Sequence, residues 1–237
     1  KTFIVSELVD SGWKIRNQED VEVARNLINE IPHVTDEDSL VYYMDALLEL
    51  CEVAPPKIIH AVAAFAIESV SRSSFDTATL SIHDQNYALA DLVGRLGRKA
   101  GLEDRLHLLK IALAEMKMSE NHRAIQGLEY VLEFLSEEPS RAFALPAVKV
   151  LFEAVQSERE YLTVSSFAAA IGELGQVLEF GEMKAEVHFL IQKLKGGDGS
   201  VRYALGSLAD KIPASLAIEG ATGFIDFERA RVNRIEG

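Results

Sequence analysis

One apolar spacing, i, i+3, i+4, i+7, i+11, recurs five times along the chain. It is met at Leu40, Tyr43, Met44, Leu47 and Cys51, and again at Leu89, Leu92, Val93, Leu96 and Ala100. The third occurrence is Ala124, Gly127, Leu128, Val131 and Leu135, and the fourth is Phe167, Ala170, Ile171, Leu174 and Leu178. The last is Val201, Ala204, Leu205, Leu208 and Ile212. At about 3.6 residues per turn, such a spacing sets its residues along one side of a helix. Successive starts, 40 to 89 to 124 to 167 to 201, lie 49, 35, 43 and 34 residues apart. A helix with a single apolar stripe cannot bury it alone, so a chain built this way has to lay helix against helix.

Start and stop signals place a further helix before each of these five. Asn17 to Pro32 reads as a helix with Glu19 and Asp20 in its first turn, ended by Pro32. Thr35 with Asp38 is a capping-box-like start for the next, which runs to about Val53. Pro55 and Pro56 break that helix and open another, through about Arg72. The stretch from Ser71 to Ile82, rich in Ser, Thr and Asp, is the longest expected loop. Helices follow over Asp84 to Ala100, with Gly101 as C-cap, then Leu102 to Met118, Glu120 to Ser136 and Arg141 to Gln156. The remainder are Tyr161 to Phe180, Glu182 to Lys195 and Ser200 to Ile212, the last two separated by a turn at Gly196 to Ser200. No segment alternates apolar and polar residues as a half-buried strand would.

A period near 40 with two helices per unit is the range of HEAT and armadillo repeats. One unit carries a residue-level likeness as well. Asp198, Gly199, Ser200, Val201, Arg202, Tyr203, Ala204, Leu205, Gly206, Ser207 and Leu208 resemble the turn and second helix of a HEAT repeat, where an Asp in the turn precedes Val-Arg and then small and apolar residues. The Asp can cap the second helix, the small residues let neighbouring helices approach, and the Arg can reach an adjacent turn. Pro146, inside the first helix of its unit, also suits that family. The other four units lack Val-Arg. The resemblance implies an all-α, right-handed α-solenoid of about five antiparallel helix pairs. To these the sequence adds an extra N-terminal helix around Phe3, Ile4, Val5, Leu8, Val9 and Trp13, and a short C-terminal helical tail. The whole of residues 1–237 reads as one such domain, and a first residue that is Lys fits a chain processed, trimmed or cut from something larger.

Charge narrows the partners. The formal net charge is −13, with 37 acidic residues against 24 basic ones. Such a surface repels phosphate and anionic lipid, which argues against nucleic acid and membrane. The basic group Arg95, Arg98, Lys99, Arg105 and Lys110 is short and is interrupted by Glu103 and Asp104. No run approaches the roughly 20 apolar residues of a membrane span, and the N-terminus lacks a signal-peptide core. The one cysteine, Cys51, lies in an apolar run and is expected to be a buried, inert thiol, which fits a reducing, cytoplasmic setting.

No catalytic or metal-binding motif is found, and no cofactor is implied. The six histidines (His33, His60, His83, His107, His122, His188) make no His-Glu-x-x-His pair. Glu103, Asp104 and His107 share a helix face, where an exposed polar pair outweighs a metal site. The acidic run Asp36, Glu37, Asp38 lies in a helix first turn, where the dipole favours it. No Gly-rich phosphate loop or nucleophile elbow is present.

The functional expectation is therefore a scaffold or adaptor that binds a protein or peptide. In the second helices, the slots flanking the buried stripe are expected on the concave face: Tyr42, Asp45, Glu49, Asp91, Arg98, Gln126, Glu129, Glu133, Tyr203 and Asp210. Six of these are acidic and one is basic, which suits a basic or mixed polar partner. Ala169 and Gly172 fill the matching slots of the fourth unit and are expected to leave a shallow groove for an apolar anchor. The alternatives are a HEAT-frame enzyme or lyase-like accessory protein, resembling those that attach bilin chromophores, and a nucleic-acid-binding repeat protein.

Overall fold

The computed structural model describes residues 7–34, 36–72, 82–157 and 161–235. Within them the protein is all-helical, and no strand occurs among the described residues. The chain divides into two compact units, Lys1–Leu135 and Ser136–Gly237.

In the first unit, residues 7–10 form a helical turn. Trp13 follows it outside the helix, and Phe3, Ile4 and Val5 lie outside the described residues. Lys14 then docks on the end of helix α2 (Glu37–Leu50), its ammonium 3.1 Å from the Glu49 carbonyl, where a cation opposes the helix dipole. Helix α1 (Val21–Glu30) begins later than Asn17. The Asn17 carboxamide accepts from the Glu19 and Asp20 amides, while Asp20 accepts from the Arg16 and Asn17 amides. These local bonds satisfy the backbone in a turn and postpone the helix. The cap of α2 is Asp36, whose Oδ1 accepts from the Ser39 amide at 2.8 Å; Thr35 lies outside the described residues.

Helix α3 (Pro56–Ser71) opens on its prolines as expected. The Ser71 to Ile82 loop falls largely outside the described residues. Helices α4 (Ile82–Ala100), α5 (Leu102–Met118) and α6 (His122–Ser136) complete the unit. Gly101 joins α4 to α5 at φ 97°, a conformation that costs glycine little.

Helices α4 and α6 run in the same direction, and so do α3 and α5. Along α4 and α6, the Asn86 side chain donates to the Arg123 carbonyl, and a Cβ added at Gly94 would sit 2.7 Å from that of Phe134. Along α3 and α5, His60 meets His107, and one turn or more later Glu68 and Arg72 share a cleft with Glu115 and Met118. The glycines at 94 and 127 remove the side chains that would hold α4 and α6 apart.

The second unit contains α7 (Arg141–Ser157), α8 (Tyr161–Gly175), α9 (Lys184–Lys195), α10 (Arg202–Ser207) and α11 (Ala214–Ile235). Pro146 lies inside α7. Arg141 pairs with Glu182 at 2.9 Å and Phe152 meets Phe189 at 5.0 Å between centroids, so α7 and α9 also run in one direction. Two lengths differ from expectation. Helix α8 stops at Gly175 rather than Phe180, and the Ser200 to Ile212 segment is a 3-10 turn over Gly199–Val201 followed by only six helical residues. The C-terminal segment is not a short tail but a 22-residue helix, with Pro213 at its threshold. Gly220 and Gly223 seat it against Ile191, Leu194 and Lys195 of α9, and Lys195 pairs with Glu219 at 2.7 Å.

Of the 25 residues in the five apolar stripes, all but Leu205 are buried; Leu205 is half-buried. Cys51 is fully buried, and burial pushes its thiol up to about 11 against an opposing pull from Lys99. A thiol of that kind is not a nucleophile at neutral pH.

Candidate functional site

The close approach of α4 and α6 brings aromatic side chains to the surface of the first unit. Tyr87 is 46 % exposed and stands edge-on to Tyr130 at 5.4 Å and to Phe134 at 5.0 Å between centroids. Such T-shaped contacts are favourable and hold a ring in place while leaving a face to solvent. On the same two helices, α4 carries Asp91 four residues after Tyr87, and α6 carries Gln126, Glu129 and Glu133. Gln126 and Glu133 are exposed; Asp91 and Glu129 are half-buried. The Gln126 carboxamide reaches the Tyr130 hydroxyl at 3.5 Å.

Five of the ten sequence-derived candidates, Asp91, Arg98, Gln126, Glu129 and Glu133, thus share this pair of helices. Asp91 is held by Arg95 at 3.0 Å. Arg98, on the same helix, donates to the Phe134 carbonyl at 3.3 Å. On α2, Tyr42 is half-buried and Asp45 and Glu49 are exposed; Glu49 pairs with Lys14 at 3.1 Å. In the second unit, Tyr203 is 60 % exposed with its hydroxyl 3.5 Å from Glu173, and Asp210 is exposed in the turn after α10.

Gly172, in a flanking slot of the fourth unit, does not open a groove. That glycine is buried, and a Cβ there would lie 3.0 Å from the Ala204 Cα and 3.1 Å from the Ser207 Cβ. Its missing side chain lets α10 approach α8. A cleft of the second unit lies nearby, about 730 Å³, lined by Ser165, Gly199, Ser200, Arg202, Tyr203, Gly206 and Ser207. Asp198 caps the turn at its edge, accepting from the Ser200 amide at 3.1 Å and pairing with Lys193 at 2.9 Å. Arg202 reaches a neighbouring element, its guanidinium 5.6 Å from the centre of the Phe224 ring in α11.

Tyr87 and Tyr130 of this aromatic group are not among the flanking slots. Tyr87 sits two residues ahead of the second stripe and Tyr130 six residues into the third, so neither occupies a flanking slot. The signal available in the sequence was their separation of 43 residues, close to one repeat.

The basic group near Gly101 is largely occupied in holding helices. Arg95 binds Asp91, Arg98 binds the Phe134 carbonyl, and Arg105 is buried with two hydrogen bonds to the Leu135 carbonyl. The acidic residues Glu37 and Asp38 lie in the first turn of α2, as the dipole argument required. His107 pairs with His60 of α3, not with Asp104. Among the described residues, no three His, Cys, Asp or Glu side chains come together closely enough to hold a metal ion, and no helix is long and apolar enough to cross a membrane. The side chain of His83 lies outside the described residues. No protein-family model, no curated protein and no solved structure matches the chain.

Proposed function

We propose that this protein is a helical-repeat interaction domain, similar in organisation to HEAT proteins, and that the α4–α6 face of its first unit binds a basic or mixed polar segment of a partner protein. The observation that carries this reading is Tyr87, 46 % exposed on a rigid pair of helices and edge-on to Tyr130 and Phe134. Glu129, Glu133 and Asp91 stand on the same two helices. An aromatic ring fixed by its neighbours is the usual centre of a protein-binding patch. With carboxylates around it, a Lys or Arg side chain gains both a cation–π contact and Coulomb attraction.

The repeat reading is supported by the spacing of contacts between helices that run in one direction. His60 and His107 are 47 residues apart, Asn86 and Arg123 are 37, and Arg141 and Glu182 are 41. Stacked copies of one helix pair would place contacts at about this interval. The net charge of −13 favours the same class of partner over nucleic acid.

The experiment starts from a partner captured from source lysate by the intact chain. Association is then followed for the wild type, for Tyr87→Ala, and for the double reversal Glu129→Lys with Glu133→Lys. The reversal should slow association and flatten its salt dependence, and Tyr87→Ala should hasten dissociation. Wild-type rates in both variants, with helicity intact by circular dichroism, would place the binding surface elsewhere.

A further inference from the structure

We propose that His60 and His107 form an acid-sensitive latch between α3 and α5 of the first unit: with at most one added proton the two imidazoles tie the helices together, and with two they push them apart. His60 Nε2 lies 2.9 Å from His107 Nδ1, across 47 residues of chain. The ring planes are within 7° of parallel and the centroids are 4.9 Å apart. At that separation one of the two nitrogens carries a proton and donates it to the lone pair of the other. His107 is exposed and His60 half-buried, so the pair exchanges protons with solvent.

Two protons can be added in turn, and they differ in effect. The first goes to the outer nitrogen of the donating ring, which becomes an imidazolium and keeps its N–H···N bond, now charge-assisted. The second has only the facing lone pair left. Taking it replaces the bond by the N–H groups of two cations pointed at each other. The pair therefore titrates in two coupled steps, and the lower one breaks the latch. Burial holds His60 below the ordinary 6.5, Asp104 pulls it upward, and the neighbouring His107 pushes it down again. Asp104, one turn before His107, offsets one added charge but not two. On α5, Glu103 stands four residues before His107 and Lys110 three after it; on α3, Lys57 stands three before His60. Helices α1 and α4 also pack on α3. On α4, Arg95 is paired with Asp91, Arg98 with the Phe134 carbonyl, and Lys99 acts on Cys51, while Asp84 lies in the first turn. On α1, Arg25 pairs with Glu22 and lies over the Phe65 ring, and Glu30 ends the helix. A histidine held below its unfolded value stabilises the fold fully above that value and loses the contribution as pH falls toward its folded value. The loss thus begins as pH drops through 6.5, well before any loss from Asp198, whose ordinary value is 3.8.

The test follows the full chain by NMR titration of its histidine rings and by urea unfolding between about pH 7.5 and about pH 5. In His107→Gln the His60 titration midpoint should move upward, because the neighbouring cation is gone while burial and Asp104 remain. Glutamine still donates or accepts toward His60 but takes up no proton. The fall in urea midpoint on acidification should be smaller in His107→Gln than in the wild type. His60→Gln breaks the pair from the other side and should lessen that fall as well, so the comparison survives if one variant fails to fold. His122→Gln, at an exposed helix start, should leave both readings at wild-type values. An unmoved His60 midpoint in folded His107→Gln, an acid-dependent fall as large as the wild type's in either folded variant, or the same change in His122→Gln would each overturn the latch.

Discussion

The buried guanidinium of Arg105 donates two hydrogen bonds to one acceptor, the Leu135 carbonyl, from Nε at 2.9 Å and Nη2 at 2.6 Å. The carbonyl belongs to the last turn of α6, where helix geometry supplies no backbone donor. A cation of α5 thereby closes a helix whose last carbonyls would otherwise be left in a dry environment. Arg105→Gln should cost about 1–3 kcal/mol, because a buried acceptor loses charge-assisted donors. Arg105→Lys should not restore the loss, since an ammonium cannot reproduce the fork. Urea unfolding curves measure both; a lysine variant as stable as the wild type would show that charge alone suffices.

The core prediction rests on Leu128 and Ile171, which fill the same i+4 slot in stripes of different units and are 0 % and 1 % exposed. Truncating either to Ala should destabilise by roughly 2–5 kcal/mol. Leu205 occupies that slot in the fifth stripe but is only half-buried, so Leu205→Ala should cost clearly less. A cost at Leu205 equal to that at Leu128 would mean that α10 is covered more deeply than its six helical residues allow.

Gly94→Ala and Gly206→Ala should act with opposite sign. Both glycines are helical, so alanine offers each up to about 1 kcal/mol of helix propensity. At Gly94 the new methyl would meet the Phe134 Cβ at 2.7 Å and its carbonyl oxygen at 2.9 Å, and forcing α4 and α6 apart costs about 1–3 kcal/mol. At Gly206 nothing lies within 4 Å, and the gain should be about 0.5–1 kcal/mol. Thermal midpoints of the two variants decide it, and a stabilised Gly94→Ala would show that the helices part freely.

Asp198 makes the second unit acid-sensitive. Burial pushes its carboxyl upward, but the Ser200 hydroxyl, Lys193 and the Ser200 amide outweigh burial, and the net shift is below the ordinary 3.8. A depressed carboxylate stabilises the fold fully above its unfolded value and loses that contribution as pH falls through its folded value. Asp198→Asn should therefore lower stability at neutral pH, and the gap from wild type should close below about pH 4. A gap unchanged between neutral and acid pH would show that Asp198 acts by shape and not by charge.

Helix existence, and the face each helix buries, were legible in the residues themselves. Twenty-four of the 25 stripe positions are buried because a period near 3.6 leaves an amphipathic helix only one side to hide. Caps were read less well. At α1 the sequence pattern includes Asn17 and Asp20 in the helix, but their side chains make a competing turn ahead of it. The length of the C-terminal helix is not legible in its sequence, because its apolar residues are interleaved with Gly220 and Gly223, which weaken the pattern yet let it sit close to α9.

What the sequence by itself determined is which residues turn inward and where the chain turns, since both follow from local spacing and from Pro, Gly and capping chemistry. The tertiary structure alone decided which outward residues meet. His60 finds His107, Tyr87 finds Tyr130 and Arg105 finds Leu135 across separations of 47, 43 and 30 residues. Those meetings depend on the axial register of one helix against the next. Register is set by turn lengths and by how closely backbones approach at positions such as Gly94 and Gly127, and a sliding helix keeps the same buried face at every register.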